Sequence, residues 1–247
     1  MKQLSFIRNV DIIRSISFDE KEILEWIMEL YCPNGFELDP TYSTGRFYGG
    51  IPKPKYKLDL VSQSHGVIQA DSRFMPIKNG CVKTAMFDPP FVTGSRANGK
   101  AGIIKSRFMY YKNIFELWEM YRETLSEFHR VLVLGGILVF KCQDTIESGK
   151  QYLSHVKIIN MAEEIGFYAK DLFILCASRR IISNNTQFHA RKYHSYFIVF
   201  VKRSFDYKKL AQQALNEPDP KKSLELYEKA LKAAKEGGFL KDANDRS

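Results

Sequence analysis

Four short apolar runs follow one another early in the chain, and each ends at or beside an aspartate: Phe36 to Asp39, Tyr56 to Leu60 around Asp59, Val67 to Ala70 before Asp71, and Thr84 to Phe87 before Asp88. Short aromatic and β-branched runs bounded by Gly, Pro and polar residues read as strands. A carboxylate at one strand end after another is the pattern of an open sheet that receives its ligand at the carboxyl ends of its strands.

The rest of the chain alternates helices with strands. Ser17-Phe18-Asp19-Glu20 has the spacing of a capping box, and Ile23, Leu24, Trp26, Ile27, Leu30 and Tyr31 recur at helical intervals until Pro33. Ile114, Leu117, Tyr121, Leu125 and Phe128 mark a second helix over 113–130, with Gly135-Gly136 closing it before a strand from Ile137 to Phe140. Leu153, Val156, Ile159, Ala162 and Ile165 mark a third helix ending at Gly166, followed by strands at Leu172 to Ala177 and Tyr196 to Val201. Seven strands are expected in one α/β domain over residues 1–205. From 206 to 247 the pattern predicts a helical hairpin: Tyr207 to Leu215, a break at Pro218-Asp219-Pro220, then a stripe of Leu224, Tyr227, Leu231 and Ala234.

With 45% apolar residues in 247, one sizeable core is expected. No run approaches the roughly 20 apolar residues of a membrane helix, and Met1 to Ser5 lacks a signal-peptide core. A cytoplasmic protein without a membrane partner is expected. Cys32, Cys81, Cys142 and Cys176 show no paired spacing, so neither a metal site nor a disulfide framework is expected.

Asp88-Pro89-Pro90-Phe91 follows the apolar run Ala85-Met86-Phe87 directly. Two consecutive prolines stiffen the backbone and lack N–H groups, which leaves carbonyls free to accept hydrogen bonds from a ligand. A carboxylate beside such a carbonyl can take both hydrogens of an amino group, and an aromatic ring just beyond can stack on the ring that carries it. The tetrapeptide resembles the signature of the S-adenosylmethionine-dependent amino-methyltransferases of DNA, the adenine-N6 and cytosine-N4 family. The resemblance implies a Rossmann-like methyltransferase fold with a mixed, mostly parallel sheet and the C-terminal helical appendage added to it. It also implies Asp88, Pro89, Pro90 and Phe91 as the catalytic segment.

Glu37 to Gly45 resembles the family's cofactor loop, with Ser43 in place of the first of two usual glycines and little room for a helix before Gly49-Gly50. By this resemblance Asp39, Thr41 and Gly45 cradle the methionine part of S-adenosyl-L-methionine, Asp59 binds its ribose, and Asp71 with Ser72 faces its adenine. The twenty positions from Asp39 to Asp59 match the spacing of a ribose-binding acid in dinucleotide folds. A basic, His-containing lead into the strand at Tyr196 is another family likeness, in which His194 reads as structural. The tail is similar to a single tetratricopeptide unit through Leu226, Tyr227 and Ala230, and one such unit cannot form an array.

Net charge is +9, and residues 206–247 carry 9 Lys/Arg against 8 Asp/Glu, so the excess lies in the main domain. A basic domain favours an anionic partner. Residues 92–113 hold Arg96, Lys100, Lys105, Arg107 and Lys112 with no acidic residue, and Arg179 and Arg180 open a second polar segment. Together they predict a nucleic-acid contact, duplex DNA first. With no separate recognition domain in sight, a homodimer or a partner specificity subunit enters as an expectation. The primary reading is methyl transfer to adenine N6 of a flipped base. Cytosine-N4 and RNA base methyltransferases stay open as alternatives, as does a catalytically silent nucleic-acid-binding subunit that keeps the fold.

Overall fold

The computed structural model describes residues 12–91, 93, 111–177, 188–203 and 207–236. Along the chain these form β1 (Ile16–Ser17), α1 (Glu20–Tyr31), β2 (Leu38–Asp39), β3 (Tyr56–Asp59), β4 (Ile68–Gln69), β5 (Val82–Phe87) and α2 (Ile114–Val131). Next come β6 (Leu132–Cys142), β7 (Thr145–Glu147), β8 (Lys150–Tyr152), α3 (Ser154–Ile165), β9 (Phe167–Cys176) and β10 (His194–Lys202). Two further helices, α4 (Tyr207–Asn216) and α5 (Pro220–Glu236), follow.

Eight of these strands pair in the order β1-β9-β10-β6-β5-β2-β3-β4. Neighbours run parallel except β10, which lies antiparallel between β6 and β9. Strand order reverses between β2 and β5, the place where a crevice opens in such sheets. This is the mixed, mostly parallel, Rossmann-like sheet that the resemblance implies.

The central strands are apolar on both sides because helices cover both faces. Ile23, Leu24 and Ile27 of α1 bury against Met86, Val139, Phe197 and Val199. The alternating residues Phe87, Leu138, Phe140, Ile198 and Phe200 face Leu117, Tyr121, Leu125 and Phe128 of α2 and Ile158 and Met161 of α3. Phe140 sits at the centre of that second layer, edge-on to Phe87 at 4.9 Å and to Tyr121 at 5.2 Å between ring centroids.

Several local expectations are corrected. The sheet of described residues has eight strands, because Ile16–Ser17 adds a two-residue edge to β9, too short to show a period. Ser17 therefore does not cap α1; Asp19 does, accepting from the Lys21 N–H at 2.9 Å. Gly135-Gly136 does not close α2, which ends at Val131, but lies inside β6. There the register against β5 shifts, and a side chain on Gly136 would strike the Val133 carbonyl. The β7–β8 hairpin goes beyond the expected elements. Its turn, Ser148-Gly149, has positive φ at both residues, the backbone demanded by the tightest hairpin loops. The tail forms the helices α4 and α5, joined where the Ser223 hydroxyl donates to the Ala214 carbonyl.

Phe140→Ala should cost about 3–5 kcal/mol by leaving a hole among rings that cannot collapse. A shift of the urea midpoint of that size with an unchanged m-value checks it.

Candidate active site

The segment after β2 is organised around a buried carboxylate. Asp39, 2% exposed, accepts from the Thr41 N–H (2.7 Å) and Thr41 hydroxyl (2.8 Å) on one oxygen and from the Tyr48 phenol (2.7 Å) on the other. Burial pushes its pKa up to about 7 against the pull of those donors. Thr41 passes the order onward, because its Oγ1 accepts from the Asp88 N–H at 3.0 Å. In place of the full helix the family loop usually leads into stands one 3-10 turn, Arg46–Tyr48, which delivers Tyr48 to Asp39. Ser43, where the family has glycine, takes a left-handed φ of 51°, and its N–H donates to Asp59 at 2.7 Å.

Asp59, at the end of β3, also accepts from the Val61 N–H at 3.1 Å, and burial raises its pKa. Asp71, beyond β4, is gripped by Arg73, whose Nη2 lies 2.7 Å and Nε 3.0 Å from its oxygens. This hydrogen-bonded guanidinium holds the Asp71 carboxyl below the usual range. The Ser72 hydroxyl pairs with that of Thr124 on α2 at 3.1 Å.

Asp88 closes β5 with 28% of its side chain exposed. Burial raises its pKa although Lys141 opposes the rise. Lys141, in β6, places Nζ 3.3 Å from Asp88 Oδ2 and 2.6 Å from Glu20 Oε1. Burial alone would lower the Lys141 pKa, but the two carboxylates outweigh it and the net shift is upward. The Pro90 carbonyl accepts from the buried Tyr121 phenol at 2.7 Å, tying the motif to α2.

An open cleft runs across these strand ends. Thr41, Asp59, Asp71, Ser72, Pro89 and Pro90 line it together with Pro40, Leu60, Phe87, Tyr111 and Met120. The sequence-predicted residues thus fall into groups. Six line the cleft, Asp39 stands behind it as an organiser, and Asp88 turns toward Lys141 and Glu20 outside the lining. Phe91 is half-buried and also outside the lining. Gly45 is absent from the wall; its φ is 72°, and a Cβ there would lie 2.3 Å from the Tyr42 hydroxyl. Arg96, Lys100, Lys105, Arg107, Arg179 and Arg180 lie outside the described residues. His194 bonds the Tyr196 phenol at 2.8 Å, in a cluster with Asp144 and His155.

Sequence reasoning missed Tyr48, Arg73, Lys141 and Glu20. Lys141 had the same signal as the aspartates, a polar residue directly after an apolar run. It also missed Glu147, which accepts from the Thr93 hydroxyl on one oxygen and from the Ile114 N–H on the other.

No family model and no curated protein matches the chain. Among solved structures, a candidate DNA modification methylase from Thermus thermophilus, complexed with S-adenosyl-L-methionine, aligns at 16% identity and a TM-score of 0.40. That alignment covers 60% of this chain and 63% of the other, so the chain spans less than two thirds of that protein's length. The cytosine-N4-specific PvuII DNA methyltransferase aligns at 16% identity and 0.43, covering 62% and 56% of the two chains. The [4+2]-cyclase SpnF aligns at 13% and 0.43, covering 74% and 81%. Likeness this distant leaves the chemistry to be argued from the site.

Two expectations follow from the loop. Folded Asp39 binds its proton more tightly than the unfolded chain, whose carboxyl titrates near 4. Its protonation therefore contributes stability that is complete below about pH 4 and lost as pH rises through about 7. Melting temperatures across pH 4–8 should show that decline in the native chain and a flatter profile in Asp39→Asn. Gly45→Ala should cost about 1–3 kcal/mol from its left-handed backbone and the clash with Tyr42, read as a lowered denaturation midpoint.

Proposed function

We propose that this chain is an S-adenosylmethionine-dependent methyltransferase that acts on the exocyclic amine of a nucleic-acid base, adenine N6 in DNA before cytosine N4 or RNA. The observation that carries the reading is the position of Asp88-Pro89-Pro90-Phe91 at the end of β5, where Pro89 and Pro90 line the same cleft as the strand-end carboxylates Asp59 and Asp71.

The cleft's chemistry fits the cofactor. Asp59 spends one hydrogen bond on each oxygen, to Ser43 and Val61, and a carboxylate has lone pairs for a ribose hydroxyl beyond these. Tyr111 and Met120 would supply apolar wall for an adenine ring, and Ser72 and Asp71 in the same lining would supply polar contacts to it. Asp71, held by Arg73, would offer that ring an oriented acceptor. Bound there, S-adenosyl-L-methionine supplies a methyl group on a sulfonium, so the base nitrogen gains a carbon while sulfur keeps the bonding pair.

The chain's own residues do the positioning. The Asp88 carboxylate and the Pro89 carbonyl accept the two amine hydrogens and aim the nitrogen lone pair away from the ring. Asp88 holds the proton that the nitrogen sheds. Phe91 stacks on the flipped base, a contact of roughly 1–3 kcal/mol. Alignment and preorganised acceptors supply the rate. The basic residues Arg96, Lys100, Lys105 and Arg107, with Arg179 and Arg180, would track the phosphates.

Radiolabelled methyl transfer to unmethylated duplex DNA, with structured RNA in parallel, tests the reading. Label in DNA N6-methyladenine should appear with the native chain and fall by at least about a hundredfold in Asp88→Ala, as expected for loss of a positioned proton acceptor. S-adenosylhomocysteine should raise the melting temperature of both, since a ligand bound only to the folded state stabilises it. Cofactor binding with no label in either nucleic acid would sink the base-methylation reading.

A further inference from the structure

Lys141 is a costly residue for its position. It stands near the carboxyl end of the central strand β6, its side chain is 13% exposed, and its Nζ lies over the faces of Phe47 and Phe197, 5.3 and 5.5 Å from their centroids. A buried ammonium gives up most of its hydration, which a methionine of similar length would not. What it gains is a pair of carboxylates from two other elements, Glu20 at the start of α1 and Asp88 at the end of β5. The bond to Glu20 is the shorter, so the ammonium is anchored on α1 and reaches from there to Asp88. It takes Asp88 Oδ2, while among the described residues Oδ1 accepts no hydrogen bond.

We propose that Lys141 and Glu20 are positioning residues for Asp88: Lys141, anchored by Glu20, fixes one carboxylate oxygen and thereby presents the other to the target amine. This rests on the function proposed above for Asp88. The pair also sets the charge of the acceptor. Asp88 faces Lys141 from β6, Glu20 from α1, Asp39 from β2, Tyr48 from the turn after β2, and Tyr121 from α2. Lys141 is the cation of that set; it opposes the burial that drives the carboxyl toward its neutral form, and Glu20 works against Lys141. A protonated Asp88 would carry a donor where the amine needs an acceptor.

The two residues therefore predict shifts of opposite sign. In Lys141→Met the acid limb of kcat/KM against pH should move up by about one pH unit, a roughly tenfold loss on that limb, with the nucleic-acid KM little changed. In Glu20→Gln it should move down, so that activity persists at lower pH than in the native chain. Lys141→Arg, which keeps the charge, should retain most of the activity. The carboxyl titration of Asp88, followed by carbon-13 NMR without substrate and assigned with Asp88→Asn, should shift in the same two directions.

Equal losses at every pH in Lys141→Met and Glu20→Gln, with the Asp88 titration unmoved, would overturn the proposal. If Lys141→Met does not fold, Glu20→Gln decides alone: no downward shift overturns it. Titration shifts of the expected signs in a chain that methylates no nucleic acid would uphold the clamp and remove the function proposed for Asp88.

Discussion

A carboxylate taken out of water must be met by donors, and in this chain that requirement organises everything at the strand ends. Asp39 is answered by Thr41 and Tyr48, Asp59 by the backbone of Ser43 and Val61, Asp71 by Arg73, and Asp88 by Lys141. The donors are not interchangeable. Hydroxyls and backbone amides leave Asp39 and Asp59 with raised pKa values, whereas the guanidinium on Asp71 lowers its own. The carboxyl end of one sheet thus holds a graded series of acceptors, from the most readily protonated, Asp39, to Asp71, held as an anion.

The series depends on the sheet behind it. Because β5 and β6 run parallel and side by side, Asp88 and Lys141 emerge at the same end, and α1 brings Glu20 to that end from across the face it covers. Thr41 links the first carboxylate to the last, bonding Asp39 with its own hydroxyl and accepting from the Asp88 backbone. Tyr121 adds a tie from the other face through the Pro90 carbonyl. Asp88-Pro89-Pro90 is therefore braced from β2, α1, β6 and α2 together, and motion of any one helix would be felt there.

How much of this is legible beforehand follows from the range of each interaction. The four aspartates are legible because strand periodicity and the turn residues after it are local. Glu20 reads as half of a capping box because Ser17-x-x-Glu20 is a local pattern, yet its partner, Lys141, stands 121 positions away. Tyr48 lies in a glycine-flanked stretch with no period, so nothing nearby reveals that its phenol is buried on Asp39. Gly135-Gly136 reads as a helix stop because such pairs often are; the strand irregularity it serves appears only once β5 is alongside. Sequence resemblance finds the carboxylates, and tertiary contact alone supplies the groups that set their charge.

Glu147 draws two distant points of the chain onto a single carboxylate, one oxygen on Thr93 and the other on the N–H that opens α2. A loop whose ends are fastened at one point is separable from the body that carries it. Doubling the length of such a loop costs only about 0.6 kcal/mol of closure entropy. The constraint therefore falls on Thr93 and Ile114, and a change in the length of chain between them costs the sheet and its row of acids little.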